Sequence, residues 1–269
     1  MRLFLLAVLV AVLVACGSDA ASRRSGTVEP ERFDYGEDPA QYGWLRVPAT
    51  DEALPVVVLI HGGFWAEPWD YTLMVDLAEA LEAEGLATWN IEFRRLGGRG
   101  GWPATFDDIA DAIDHLAVLA DEWAIDPDRV VAAGHSSGGH LAMWAARPDA
   151  LDGIGRPRSE GLGLAGAVGI APVTDLRLTL AAPRLLGGTA QELPERWSAA
   201  AVSLDPALVE VVHGADDDIV PLFTVQNAVD AGVDVRVVED ADHFEPIEPG
   251  TEAFDAVIEQ VLARVEAAS

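Results

Sequence analysis

Apolar and polar positions along the chain form two alternating patterns. Runs rich in apolar, often β-branched residues occupy positions 55–60, 86–93, 129–133, 164–171, 208–213 and 233–239. Between them, apolar residues recur every three or four positions, as Leu73, Leu77 and Leu81 do. Continuous apolar runs are typical of strands buried on both faces, and the second spacing is typical of an amphipathic helix. The alternation predicts an α/β fold with a mostly parallel central sheet flanked by helices.

The remaining segments complete this predicted domain. Positions 33–35 and 44–47 predict two opening antiparallel strands, and positions 252–267 predict a closing amphipathic helix. Residues 174–206 interrupt the alternation with scattered prolines and glycines. We expect this segment to form a small cap insertion over the carboxyl edge of the sheet.

Two helix ends carry local signals. Gly85 follows the helix of Leu73 to Leu81, where a glycine commonly ends a helix. Thr105 and Asp108 stand three residues apart at the start of the next apolar period, which begins at Phe106. This spacing resembles a capping box, in which the two side chains satisfy backbone N–H groups of the first turn.

The N-terminus has the pattern of a targeting segment. Arg2 is followed by an unbroken apolar run over residues 3–15, too short for a bilayer span of roughly 20 residues but suited to a signal peptide. Leu13-Val14-Ala15-Cys16-Gly17 resembles the lipobox of bacterial lipoproteins, which implies cleavage before Cys16 and its acylation. The alternative is an ordinary signal peptide with an incidental cysteine.

These signals predict three segments: a lipoprotein signal peptide over residues 1–15, a flexible tether over 16–28, and one α/β domain over 29–269. We therefore expect an extracytoplasmic protein, lipid-anchored to the bacterial cell membrane at Cys16. The formal net charge of −28 argues against nucleic acid or an anionic lipid surface as a direct partner. The oligomeric state is left open by the sequence.

The chemistry is concentrated around Gly134-His135-Ser136-Ser137-Gly138, a G-x-S-x-G sequence between a predicted strand and a predicted helix. In that context the sequence indicates a nucleophile elbow, a strained turn that presents one serine hydroxyl above the sheet. Only Ser136 fits the frame, so we predict it to be the nucleophile.

A serine nucleophile needs a base, and the base needs an acid to orient it. In the chain order serine, acid, histidine, only His243 follows every plausible acid, so it is the predicted base. Asp216, Asp217 and Asp218 follow a predicted strand, and the order alone does not choose among them. The amide of Ser137 and the loop starting at His61-Gly62-Gly63 are the expected donors to an oxyanion.

Four ordered motifs carry a family resemblance. They are His61-Gly62-Gly63-Phe64-Trp65, the elbow at residues 134–140, His213-Gly214 with Asp217 and Val220-Pro221, and Asp242-His243-Phe244. With them the chain resembles α/β-hydrolases of the kynurenine-formamidase-like and bacterial feruloyl/acetylxylan-esterase-like group. The resemblance implies that Asp217 is the acid and that Gly63, Phe64 and Ser137 supply the oxyanion-hole amides. It also implies that neither a metal nor an organic cofactor is required.

The expected function is hydrolysis of small or aromatic carboxylic esters through a Ser-His-Asp acyl-enzyme mechanism, with a small-molecule ester as substrate. Arylformamidase activity on N-formylkynurenine is the first alternative. A peptidase and a non-catalytic binding protein on the same fold are further alternatives. Trp65, Trp102 and Trp197 are expected either to line an acyl pocket or to belong to the core.

Overall fold

The structure, a computed structural model, describes residues 23–27, 29–147 and 162–268. The predicted signal peptide and Cys16 lie outside these residues. Within the described ranges, no helix combines the length and apolar character that a bilayer crossing requires.

The end of the predicted tether is in contact with the domain. The N–H of Arg24 donates to the carbonyl of Glu122 at 2.7 Å, and its guanidinium lies 4.1 Å above the ring of Trp123. The part of the 16–28 segment that the structure describes, residues 23–27, is therefore attached to the domain. The other domain boundaries stay predictions.

Among the described residues, eight strands form one sheet and seven α-helices surround it. The strands are β1 (Glu31–Asp34), β2 (Tyr42–Arg46), β3 (Leu54–Ile60), β4 (Ala87–Ile91), β5 (Ile125–His135), β6 (Gly166–Ile170), β7 (Val209–Gly214) and β8 (Asp234–Val238). The helices are α1 (Val75–Ala83), α2 (Ala104–Leu119), α3 (Ser137–Ala145), α4 (Ala182–Leu186), α5 (Pro194–Ala199), α6 (Gln226–Asp230) and α7 (Glu252–Ala267). Short 3₁₀ helices cover Tyr71–Met74, Leu176–Leu178, Leu222–Val225 and Glu245–Ile247.

The strand order is β1-β2-β4-β3-β5-β6-β7-β8. Strand β2 pairs antiparallel with β1 and with β4, and every pair from β4 to β8 is parallel. Helices cover both faces of the sheet, and α4 and α5 lie in the interrupting segment of residues 174–206. This arrangement confirms the predicted α/β-hydrolase fold with its small cap insertion.

The core has two layers because the central strands are buried on both faces. Along β3, Val56, Val58 and Ile60 face the layer formed with α2 and α3. Val57 and Leu59 face the opposite layer, formed with α1 and α7. A strand covered on both sides needs apolar residues at consecutive positions, which explains the unbroken runs in the sequence.

The capping-box prediction at the start of α2 is wrong. The helix begins at Ala104 after Pro103, with no side-chain cap. The Thr105 hydroxyl donates to the carbonyl of Arg94 at 2.6 Å, and the Asp108 carboxylate accepts from the Arg94 guanidinium. A fully buried carboxylate requires a charged partner, and this need outweighs the small gain from a cap.

The parallel strands bring the chemistry-bearing loops to one edge. The loops after β3, β5, β7 and β8 all leave from the carboxyl ends of parallel strands, where open α/β sheets place their ligand sites. Residues that are far apart in sequence, from His61 to His243, therefore meet at this edge.

Candidate active site

Ser136 lies in a strained turn between β5 and α3. Its backbone has φ 55° and ψ −118°, a conformation that non-glycine residues adopt only when their surroundings enforce it. The Ser136 N–H donates to the carbonyl of Ile170 at 2.8 Å, and the Ser136 carbonyl accepts from the N–H of His140 at 3.1 Å. These bonds hold the turn on both sides, as expected for a nucleophile elbow.

The flanking glycines are required by close packing of the backbone. A Cβ at Gly134 would overlap the carbonyl of Gly138, and a Cβ at Gly138 would overlap the carbonyl oxygens of Ile60 and His61. Strand β3, the elbow and α3 can approach this closely only because both positions lack a side chain.

Asp217 and His243 form a short hydrogen bond. His243 Nδ1 lies 2.6 Å from Asp217 Oδ2, and the other carboxylate oxygen accepts the N–H groups of Ile219 at 2.9 Å and Val220 at 2.7 Å. Burial opposes ionisation of Asp217, but the bonds from His243 and Val220 outweigh it and lower the pKa of the carboxyl. An ionised Asp217 keeps the hydrogen of His243 on Nδ1, so that Nε2 is available as a base.

The three consecutive carboxylates therefore have different environments. Asp217 is buried against His243, whereas Asp216 and Asp218 are exposed. Of the three, the structure places against His243 the aspartate that the family resemblance implies, Asp217, and leaves its two neighbours exposed to solvent.

His135 holds the backbone of His243. Its Nε2 lies 2.9 Å from the carbonyl oxygen of His243, and the two ring centroids are 4.6 Å apart. A carbonyl can only accept, so Nε2 carries the hydrogen. Burial, with the nearby His243 as a further cause, lowers the pKa of His135 to about 3, so the ring is neutral at working pH. Sequence reasoning missed this contact, although His135 directly precedes the nucleophile.

In this conformation the nucleophile and the base are not hydrogen-bonded. Within the described ranges, neither the Ser136 hydroxyl nor Nε2 of His243 has a hydrogen-bond partner. His243 nevertheless packs on the ring of His135, the residue next to Ser136. Catalytic hydrogen bonds are often long or poorly aligned before substrate binds.

The loop after β3 supplies free amides beside the elbow. Gly63, Phe64 and Trp65 all have positive φ, at 112°, 55° and 55°. The N–H of Trp65 donates to Ser137 Oγ at 3.2 Å, which ties the loop to the start of α3. In the described part of the chain, the N–H groups of Gly63, Phe64 and Ser137 donate to no acceptor. These are the three amides expected to hold an oxyanion, and they are free to do so.

His61 and His213 hold the loops that carry the site residues. The His61 ring lies 2.8 Å from the carbonyl of Gly62 and 3.1 Å from the carboxylate of Glu92, which fixes the start of the loop. His213 Nε2 donates to the carbonyl of Val220 at 2.7 Å and lies 3.5 Å from Asp217. Burial lowers the pKa of His213, so this ring is a neutral packing partner of the acid.

A cleft of about 500 Å³ opens beside these residues. It lies between the cap segment and the loop that follows Asp217, and its lining includes Phe64, Val173 and Val220. Val173 donates its N–H to the carbonyl of Ser136 at 3.3 Å, which places the inner end of the cleft at the elbow. Its volume is typical of small-molecule sites.

The three predicted tryptophans do not line this cleft. Trp65 is buried and stands edge-on to His140, with ring centroids 5.2 Å apart. Trp102 and Trp197 are partly buried against the core. The aromatic side chains that do line the cleft are Phe64, of the loop after β3, and Phe223. Among the described residues, no group of three or more His, Cys, Asp or Glu side chains is arranged to hold a metal ion.

The BD-FAE family model matches residues 45–228. The chain belongs to this family. The matched range runs from β2 to α6 and includes the loop after β3, Ser136 and Asp217, while His243 follows it. Family membership and the mostly parallel sheet agree with the α/β-hydrolase resemblance carried by the four motifs.

Two curated relatives from Mycobacterium tuberculosis are similar over part of the chain. Esterase LipC (strain ATCC 25618 / H37Rv) is 30% identical over 132 residues, which are 48% of this chain and 32% of LipC. Carboxylesterase NlhH (strain CDC 1551 / Oshkosh) is 33% identical over 101 residues, which are 37% of this chain and 31% of NlhH. The match thus spans about a third of the length of each relative.

Solved structures show the same fold. A truncated carbohydrate esterase from gut microbiota superposes with a TM-score of 0.73 at 19% identity, over 88% of this chain and 97% of that chain. The thermophilic esterase Est2 of Thermogutta terrifontis, with propionate bound, gives a TM-score of 0.71 at 22% identity, over 88% of this chain and 93% of that chain.

Proposed function

We propose that the protein is a carboxylic-ester hydrolase that cleaves small or aromatic esters through an acyl-enzyme on Ser136. The observation that carries the proposal is the 2.6 Å hydrogen bond between His243 and a buried, ionised Asp217. It lies at the same sheet edge as the strained Ser136 and the free amides of the β3 loop. Family membership and the similarity to LipC and NlhH support the reaction class.

In the first half-reaction, Ser136 Oγ bonds to the acyl carbon while its proton moves to Nε2 of His243. The carbonyl π electrons move to the oxygen, and the amides of Gly63, Phe64 and Ser137 donate to the resulting oxyanion. Asp217 stabilises the imidazolium. The carbonyl then re-forms, the bond to the alcohol oxygen breaks, and the alcohol leaves with the proton from His243.

In the second half-reaction, water replaces the alcohol. His243 takes a proton from water as the water oxygen bonds to the acyl carbon, and the same amides donate to the second oxyanion. When the carbonyl re-forms, the bond to Ser136 Oγ breaks and Oγ regains the proton from His243. The products are the carboxylic acid and the resting enzyme, so the cycle balances.

The test is hydrolysis of p-nitrophenyl acetate, butyrate and hexanoate by the full chain purified in detergent. Ser136→Ala should lower kcat/KM by about 10⁴-fold or more, because the nucleophile is lost while the fold is kept. Ser198→Ala, an exposed serine on α5, is the matched control and should change nothing. Full activity in Ser136→Ala would overturn the elbow assignment.

N-formylkynurenine as a substrate beside the esters distinguishes the first alternative, arylformamidase activity, from ester hydrolysis. Preferred opening of this formamide, abolished in Ser136→Ala, would make the protein an arylformamidase with the same nucleophile. No turnover of esters or of the formamide by the folded protein would contradict the proposed function and favour a peptidase or a binding protein.

We also propose that the domain is tethered outside the cytoplasm by a lipid on Cys16. The support is the apolar run over residues 3–15 ending at a small residue before the only cysteine of the chain. Stable anchoring needs two or more acyl chains, so Cys16→Ser should release the protein from the membrane fraction. Unchanged membrane retention in that variant would contradict the proposal.

A further inference from the structure

The cleft beside Ser136 has a mostly apolar wall with two charged side chains. Its exposed apolar lining is Phe64, Leu178, Leu180, Ile219 and Phe223. The charged residues in the lining are Asp175 and Arg184. Arg184 is exposed, so its charge is accessible to a ligand that enters the cleft.

The Asp175 charge is already neutralised. Its carboxylate accepts from Arg177 through the backbone N–H at 2.9 Å, Nε at 2.8 Å and Nη2 at 2.6 Å. The hydrogen bond from the Arg177 side chain is the largest cause that lowers the pKa of Asp175. Asp175 is therefore an ionised group that is paired with Arg177, and it is not the counter-ion of Arg184.

Arg184 has no such partner. Within residues 23–27, 29–147 and 162–268, no carboxylate forms an ion pair with it and no oxygen accepts a hydrogen bond from it. This is notable in a chain with 45 acidic and 17 basic residues, where Arg46 and Arg94, for example, each bind carboxylates. The cleft thus carries a net positive charge while the chain as a whole is strongly negative.

We propose that Arg184 is a specificity-determining residue that binds an anionic group, such as a carboxylate, at the far end of an apolar ester substrate. The proposal rests on the proposed function, since it names the substrate class of the same site. The ester bond would lie at Ser136, the apolar chain along Leu178 and Phe223, and the anionic group at the guanidinium, which matches the planar geometry of a carboxylate.

The first experiment compares esters of equal chain length with and without a terminal charge. On the acyl side these are the p-nitrophenyl hemiester of adipic acid and p-nitrophenyl hexanoate, with the spontaneous rate subtracted. On the alcohol side they are the acetate esters of ω-hydroxyhexanoate and of hexanol, followed by released acetate. The wild-type protein should hydrolyse the charged member of at least one pair with the higher kcat/KM.

The matched variants are Arg184→Gln, which removes the charge, and Arg184→Lys, which keeps it. Arg184→Gln should lower kcat/KM for the preferred charged ester about tenfold, as expected for loss of one charge-assisted hydrogen-bonded pair. In the same variant, kcat/KM for the neutral ester should stay within about twofold of the wild-type value. Arg184→Lys should retain most of the preference for the charged ester, and added salt should weaken this preference. Arg236→Gln, an exposed arginine paired with Glu259, controls for the change in net charge.

The proposal is overturned if both charged esters are poorer substrates than their neutral partners, or if Arg184→Gln changes both members of each pair equally. Neither result affects the proposed function, provided that the neutral esters are hydrolysed and that Ser136→Ala abolishes their hydrolysis. Loss of the proposed function would instead appear as no turnover of any of the four esters.

Discussion

The elbow, at the inner end of the cleft, and the cap segment, residues 174–206, along one of its walls are built in different ways. Around Ser136 the backbone is bonded to neighbouring strands, and a Cβ at Gly138 would overlap backbone on β3. The cap segment consists of the short helices α4 and α5 and a 3₁₀ turn, and it presents apolar side chains such as Leu180, which is 98% exposed. In the proposed function, the reaction depends on backbone that is held in place by the sheet, and substrate contacts depend on surface side chains of the cap segment.

This difference has a physical reason. Transition-state stabilisation needs donors and a base held within fractions of an ångström, which regular strands and close glycine contacts provide. Substrate selection needs apolar area and one or two charges, which a short irregular segment can supply without precise packing. Substitutions in the two regions should therefore affect different quantities.

Among substitutions that keep Ser136, Asp217→Asn is expected to have the largest effect on kcat. The amide can no longer hold His243 in the tautomer with the hydrogen on Nδ1, so kcat should fall by about 10³–10⁴-fold with little change in KM. Asp216→Asn is the matched control, because Asp216 is the exposed neighbour. Its kcat should stay within about twofold of the wild-type value. Steady-state kinetics on p-nitrophenyl butyrate measure both. A larger loss in Asp216→Asn would reassign the acid.

Gly138→Ala should mainly reduce stability. The new Cβ would overlap the carbonyl oxygens of Ile60 and His61, and backbone must move to admit it, at a cost of about 3 kcal/mol in the free energy of unfolding. Gly163→Ala is the control, since a Cβ at Gly163 meets nothing within 4 Å. Urea unfolding followed by circular dichroism measures both. Equal midpoints for the two variants would show that the elbow tolerates the displacement.

The sequence predicted the strands and the turn on the elbow side of this comparison, while the catalytic roles of Ser136 and His243 stay predictions. Ser136, His243 and the strands that carry them follow from the G-x-S-x-G frame, the chain order and unbroken apolar runs. These signals are strong because the backbone geometry admits few residue types. Asp217 could not be chosen from the order alone, since its neighbours have the same side chain and differ only in burial.

The sequence predicted a cap insertion over residues 174–206, but not the helices within it or the contacts that support the site. No periodic pattern marks α4 or α5, and the lack of a partner for Arg184 among the described residues depends on tertiary packing. The capping-box prediction for Thr105 and Asp108 failed for a related reason. A local signal was present, but a distant partner, Arg94, binds the same carboxylate more strongly.

Substitutions of His135 test whether positioning of the base depends on residues beyond Ser136, Asp217 and His243. His135→Leu removes the donor to the His243 carbonyl and should lower kcat about tenfold with KM unchanged, because the base is less well positioned. His135→Gln keeps a donor on a flexible side chain and should recover a large part of the activity. A merely structural role would instead lower stability in both variants and leave kcat per folded molecule unchanged, which unfolding curves measured beside the kinetics would reveal.

The smallest effect is expected on the cap side, from Leu180→Ser. Leu180 is 98% exposed and lines the cleft, so its replacement should change the free energy of unfolding by less than about 0.5 kcal/mol. A bound apolar ester would cover part of this side chain, and losing that contact should raise KM for p-nitrophenyl hexanoate about threefold while kcat stays constant. Val118→Ser, at a 60% exposed position on α2, is the control for removing a surface apolar group elsewhere. If Leu180→Ser lowered kcat and left KM unchanged, the cap would contribute to the reaction itself, and the division between a rigid catalytic side and a binding side would not hold.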